Sequence, residues 1–433
     1  MLSKKSVFFI ILMILIFGLI FRLNGLTSES AWLDETLSVY KARYFSDIVN
    51  NFPAWHCPFY LLLAGIFVKT FGPSIVALRI LSLFFGISSI IMIYILGKEL
   101  FNRRIGVITS LFLAFSSYHI FYSQEARMYS LLFFLSLISM YFFIKYFNNN
   151  NKNCLKFFCI TTVLSLYTHL FSILTLVAQN IFFILSNFFK KNFQRLKEWI
   201  VFQFVIVMVS IPALVSIFLN VDFVNLEVWR RGFVEFSFLE INFSGGWWTS
   251  MLFRYLLVYG LIFLVLKWKH ISIKDKNSLS LMVLWIIIPI LFSIIYTYFI
   301  GNLFIARYVI YLSIGYYFLV AFSIDKLHKY LKVPVIILFL VLTSIYLLDF
   351  QEQPHRGDWK GVSQYIQSIQ EGYEHIIIEP GFALIPFSYY HDKDCFLSTN
   401  IYDCATSNKI YTVWNNTEQE KKYTNQARKI IYI

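Results

Sequence analysis

Residues 157–189 contain no Lys, Arg, Asp or Glu. As one helix this run would be about 50 Å long, against a bilayer core of ~30 Å. It therefore reads as two crossings, with a break near Thr168-His169. Apolar segments of similar character recur along the chain. The sequence is 58% hydrophobic and 14% charged, where soluble domains are nearer a quarter charged. The chain reads as a polytopic α-helical membrane protein with about eleven transmembrane helices. They are placed at 6–22, 75–97, 105–122, 129–147, 155–170, 172–189, 199–219, 248–266, 279–299, 304–323 and 333–349.

A net charge of +13 would suggest nucleic acid in a soluble protein. Here the basic residues fall in alternate loops. Lys4 and Lys5, Lys98 to Arg104, Lys190 to Lys197, Lys267 to Lys276 and Lys326 to Lys332 all lie on one side. The positive-inside rule makes that side cytoplasmic, and no nucleic-acid partner is expected. The first apolar run has too few small residues near its end for a cleavage site, so it reads as a retained signal anchor. Residues 1–349 then form a membrane domain, with 22–74 as a long first outer loop. Pro58 to Phe71 is apolar but short, and a crossing there would invert every later loop. It reads as a surface or re-entrant helix. Residues 350–433 are more polar and read as a small extracytoplasmic α/β domain. A helix is expected from Asp358-Trp359-Lys360, with strands at Ile376 to Ile378 and Ile410 to Val413. No internal repeat is visible.

The five cysteines match no zinc spacing. Cys395 and Cys404 are nine positions apart in the expected outer domain, where a disulfide can persist. A bond between them is expected, with two free thiols as the alternative.

The candidate chemistry gathers on the outer side. Trp32-Leu33-Asp34-Glu35 follows the first span. Adjacent carboxylates on a helix point about 100° apart, so the two cannot share a task. Either could instead complement a helix N-terminus. Glu125 and Arg127 lie in a turn flanked by aromatics, Tyr122-Ser123-Gln124-Glu125-Ala126-Arg127-Met128-Tyr129. Ionisable groups at such depth are functional hypotheses, though an exposed loop pair is the plainer reading. Arg307 and Arg79 sit near outer helix ends. Each is either a snorkelling span residue or a phosphate ligand. His56, before Cys57-Pro58, could join Glu125 around a divalent cation, but two ligands fall short of a site.

Trp32-Leu33-Asp34-Glu35, His56-Cys57-Pro58-Phe59-Tyr60-Leu61, Phe71-Gly72 with Ala77-Leu78-Arg79, and the Tyr122 to Ser130 segment occur here in order. This order resembles that of bacterial and archaeal glycosyltransferases similar to the protein O-mannosyltransferases and the lipid A aminoarabinose transferase. Ala306-Arg307-Tyr308 and Asp358-Trp359-Lys360 look like later landmarks. The likeness is concentrated in residues 20–135, and one departure is Cys57, where that family has Pro. The resemblance implies the GT-C fold and a polyprenyl-phosphate-linked sugar donor used at the outer face of the cytoplasmic (plasma) membrane. The acceptor would be a glycan, a lipid or a protein. It further implies catalysis at the Asp34, Glu35 motif, with Asp34 as base. Glu125 would line the same cavity, and Arg307 would lie on the donor phosphate. His56, Arg79 and Arg127 complete the expected substrate-binding set. A lipid-linked-sugar flippase and a polysaccharide polymerase or ligase are the alternatives.

Overall fold

The helices of the membrane part follow the apolar segments closely. A computed structural model describes residues 3–50, 57–220, 246–299, 306–352, 356–369, 373–413 and 430–432. The first helix is α1 (Lys4–Leu23), and the loop after it folds into α2 (Leu33–Ala42), α3 (Phe45–Asn50) and α4 (Pro58–Phe71). There follow α5 (Ile75–Leu100), α6 (Arg103–Phe115), α7 (Ser117–Ser123), α8 (Tyr129–Asn149), α9 (Lys152–Thr168) and α10 (Ile173–Phe188). Next come α11 (Phe193–Asn220), α12 (Trp247–Lys267), α13 (Ile273–Phe299), α14 (Leu312–Lys326) and α15 (Lys329–Glu352).

Among the described residues, eight helices are long and apolar enough to cross a membrane, and nine if the bent pair α6 and α7 is one span. That is fewer than the eleven expected, and the shortfall lies in two places. The helices found at 155–170 and 304–323 are α9, with 17 residues, and α14, with 15. Both are shorter than the ~20 residues of a full crossing. The break in the long uncharged run falls where charge alternation requires it. α9 stops at Thr168, and the extended His169 (φ −162°) accepts from Phe171 N–H to start a short 3₁₀ turn. α4 has 14 residues, also short of a crossing.

Two local features shape this end of the helices. Cys57 precedes α4 with φ 59°, a left-handed conformation. A proline, with φ fixed near −65°, could not adopt it, so the departure at Cys57 goes with a different local backbone. The second feature is the bend of 63° between α6 and α7. A break exposes carbonyls that lipid cannot satisfy. Arg22, fully buried at the end of α1, fills that need. It donates to the carbonyls of Gly18, Ala114 and Leu113 at 2.9–3.0 Å, and it bonds His119 Nδ1 at 2.8 Å and Ser123 Oγ at 3.3 Å. The bend aims the end of α7, and the Gln124 to Met128 turn behind it, back toward α2.

The tail adds α16 (Trp359–Ile369), β1 (His375–Ile378), α17 (Leu384–His391), α18 (Lys393–Leu397), α19 (Ile401–Ser407), β2 (Ile410–Thr412) and β3 (Ile430–Tyr432). The sheet is parallel throughout, in the order β2-β1-β3, with Ile376 opposite Ile410 and Ile431. Ile376, Ile377 and Ile378 are all buried, as a central parallel strand covered on both faces must be. Cys395 and Cys404 form a disulfide. The helix start at Asp358-Trp359-Lys360 is also a latch to the loop after α1. Ser30 Oγ donates to Asp358 Oδ1 at 2.8 Å and accepts from Lys360 N–H at 3.0 Å. Tyr390 Oη accepts from Ala31 N–H at 2.6 Å, and Tyr389 Oη from Ile75 N–H at 3.2 Å.

Candidate active site

α2 starts at Trp32, whose backbone is extended, and carries Asp34 and Glu35 in its first turn. Acidic groups are favoured there by the helix dipole. One position of rotation sends the two carboxylates into different surroundings.

Glu35 is fully buried. Arg79, from the first turns of α5, meets it with a two-pronged contact: Nε to Oε1 and Nη2 to Oε2, both 2.8 Å. Ala126 N–H donates to Oε1 at 2.8 Å, and Arg356 Nη1 lies 3.5 Å from Oε2. Arg79 spends its other donors on the carbonyls of Leu26, Glu29 and Ser30, at 2.8, 3.1 and 3.4 Å. Both side chains were candidates for substrate or catalysis. The geometry places them in a closed knot that joins α5 and the Glu125 turn to the loop after α1.

Asp34 remains partly exposed. Its Oδ2 is 3.3 Å from Arg307 Nη1 and 3.9 Å from Arg127 Nη2. Arg127 also approaches the Asp34 carbonyl and Ser38 Oγ, each at 3.4 Å. Arg307 lies on a 3₁₀ turn, Ala306–Val309, and its guanidinium sits 5.3 Å from the Trp32 ring centre and 5.9 Å from that of Tyr129. Flat cations on aromatic faces keep a fixed orientation without a second anion.

Glu125 is fully buried, and neither carboxylate oxygen has a hydrogen-bond partner. Burial, and then the nearby Glu35 carboxylate, push it up to about 7 against the pull of Arg127, Arg356 and Arg307. Trp32 Nε1, Tyr129 Oη, Arg127 Nε and Arg307 Nε are likewise buried and unpartnered. Such atoms are rare in folded proteins and concentrate where something else is meant to bind. Asp34, Glu125, Arg127 and Arg307 thus come together.

His56 lies outside the described residues, so its place beside Glu125 carries no geometry. Among the described residues no three His, Cys, Asp or Glu side chains are grouped to hold a metal ion. His169 stands at its helix end beside Tyr308, ring centres 4.9 Å apart. Sequence reasoning missed Arg356. It is nearly buried, 3.7 Å from Glu29 Oε2, and stacked over Phe121. Its signal was available: it lies two positions before the Asp358 landmark. Arg22 was missed too, although an arginine inside a span is a signal in itself.

The described helices superpose on solved structures. ArnT from Cupriavidus metallidurans in the apo state matches with a TM-score of 0.58 at 12% identity, over 83% of this chain and 70% of that one. The fold is GT-C. The same ArnT bound to undecaprenyl phosphate matches at 0.57 and 12% identity, over 79% and 64% of the two chains. The oligosaccharyltransferase AglB from Archaeoglobus fulgidus, in complex with an inhibitory peptide and a dolichol-phosphate, matches at 0.55 and 12%, over 90% and 64%. The chain therefore spans under two thirds of the length of these last two. The dolichyl-phosphate-mannose-protein mannosyltransferase family matches residues 55–215. No curated protein matches the sequence. Within this GT-C fold the helices, the bent pair and the first loop are the parts that carry Asp34, Glu125, Arg127 and Arg307 to one place.

Proposed function

We propose that this multi-pass membrane protein is a glycosyltransferase. It moves a sugar from a polyprenyl-phosphate-linked donor to an acceptor at the outer face of the cytoplasmic membrane, with inversion. The observation that carries the reading is Asp34, a partly exposed carboxylate whose Oδ2 faces two arginines. Both contacts use the same oxygen, so Oδ1 is left to take a proton. A carboxylate accepts the acceptor's proton as the acceptor attacks the anomeric carbon. The transition state is oxocarbenium-like, and the departing phosphate gains charge that fixed guanidinium groups stabilise. Arg307 and Arg127 are Asp34's counter-ions at rest and the phosphate's when donor is bound. Binding would then release the base at the moment it is needed. The solved structures with undecaprenyl phosphate and dolichol-phosphate support a lipid-phosphate donor for this GT-C chain.

The residues that fit a divalent cation are few: Glu125 offers two unpartnered oxygens, the nearby Glu35 carboxylate is already taken by Arg79, and Asp34 shares Arg127 and Arg307 as charged neighbours. A bound cation would neutralise Glu125 and share the charge of the phosphate.

The bend between α6 and α7 also favours a second reading, because discontinuous helices are common in transporters. Proteoliposomes loaded with a synthetic polyprenyl-phosphate sugar separate the two. Transfer to an acceptor supports the enzyme, and movement of the lipid across the bilayer without transfer supports a flippase.

A further inference from the structure

The cluster around Asp34 holds more positive charge than its carboxylates neutralise. Arg307 and Arg127 share one oxygen of Asp34. A third cation stands beside them. Lys41 lies seven residues beyond Asp34 on α2, with Ser38 between them at four, and such positions share one helix face. That face is the one Arg127 touches, through the Asp34 carbonyl and Ser38 Oγ. The Lys41 side chain is partly buried and makes no hydrogen bond or ion pair among the described residues. Its charged neighbours are Arg127 and Asp34. Burial, and then the Arg127 charge, hold its ammonium below the ordinary lysine value. A lysine has a long stem and normally carries its charge to water. This one lies partly buried beside an arginine.

Against these three cations stand Asp34, and Glu125 only in part, since it is pushed up to about 7. The surplus exceeds one positive charge. A sugar phosphodiester carries one negative charge. The phosphate monoester it leaves behind carries nearer two, with its second pKa at about 6. The surplus therefore suits the departing group better than the intact donor, which is what a catalyst requires.

We propose that Lys41 is a phosphate-binding residue of the donor site that grips the departing polyprenyl phosphate more tightly than the intact donor. This rests on the lipid-phosphate reading given above. In the transfer step the acceptor atom bonds to the anomeric carbon as the bond from that carbon to the phosphate oxygen breaks. The electron pair stays on the phosphate oxygen, and the acceptor's proton goes to Asp34. Lys41 keeps its protons and donates hydrogen bonds to the oxygen that gains charge.

The test uses the full-length protein in lipid nanodiscs, with polyprenyl phosphate as the probe. Equilibrium binding of the probe and its inhibition of transfer are both measured. Lys41→Met should weaken polyprenyl phosphate binding by roughly tenfold and lower kcat by about a hundredfold, with a smaller change in the donor KM. Lys41→Arg should restore most of both. Lys69→Met is the control, since Lys69 is exposed on α4 over the Phe45 ring; it should behave as wild type. Unchanged polyprenyl phosphate binding in Lys41→Met overturns the assignment, and so do equal losses at Lys41 and Lys69. If the wild type binds the probe through Lys41 but transfers no sugar, the transferase reading fails and the phosphate site stands. If Lys41→Met transfers sugar at the wild-type rate, the reverse holds.

Discussion

Asp34 and Glu35 are neighbours in sequence and opposites in surroundings. Glu35 has hydrogen-bond or ion-pair partners on both oxygens and no exposure. Asp34 is partly exposed, shares its arginines unequally, and borders several buried polar atoms with nothing to bond. A network that satisfies all its members holds a structure together. One that leaves buried donors and acceptors unpaired is the better candidate for a binding site. The comparison shows two carboxylates of one motif in two different environments, and our proposal gives each a different part.

The strongest way to break that comparison is Asp34→Asn, which keeps shape and removes the proton acceptor. Transfer should fall by roughly 10²–10⁴-fold, measured as initial rates in proteoliposomes, with the melting temperature unchanged. A near-normal rate would leave Asp34 as a helix-start residue and nothing more. Glu35→Gln should show the converse pattern. Removing one partner of a buried ion pair costs about 3–5 kcal/mol, so its main effect should be on thermal stability in detergent. A variant that melts normally but has lost transfer would return Glu35 to the catalytic group.

Glu125 sharpens the contrast through pH. Its folded-state value, about 7, lies above the ordinary 4.5. The folded protein therefore binds the extra proton between those values. The penalty for burying the charged form is absent below about pH 4.5, grows toward pH 7, and is complete above it. Glu125→Gln should stabilise the protein by up to about 3 kcal/mol at pH 8 and by almost nothing at pH 4.5. Melting curves at the two pH values check this, and equal shifts at both would show that Glu125 is not titrating in the fold. The smallest expected effect is at Arg307. Arg307→Ala should weaken use of the lipid donor by about tenfold, and Arg307→Lys by less, since lysine keeps the charge but loses the fork. Donor titrations of both variants decide it, and wild-type behaviour in both would make Arg307 a snorkelling residue.

Much of the fold was legible because lipid imposes simple rules. The uncharged run 157–189 had to break, and it breaks at His169. Ile376 to Ile378 had the unbroken apolar pattern of a buried parallel strand, and they form one. Helix lengths were less legible. Nothing in composition reveals that α9 and α14 stop short of a full crossing. At the site, the residue types were visible but their partners were not. Arg79 could be read as a phosphate ligand until Glu35, 44 positions away, was seen to occupy it. Arg22 serves carbonyls freed by a bend in another helix, more than 90 positions away, and no local pattern announces that. Lys41 carries no signal in the sequence, because its charged neighbour Arg127 is 86 positions away.

The latch between Ser30 and the Asp358 segment, and the contact of Arg356 with Glu35, set an order of assembly during synthesis. Glu35 leaves the ribosome early and Arg356 late. At ordinary elongation rates the interval is on the order of tens of seconds. For that interval Glu35 has Arg79 beside it but not yet Arg356. The loop after the first helix is thus tied to a segment made more than 300 positions later.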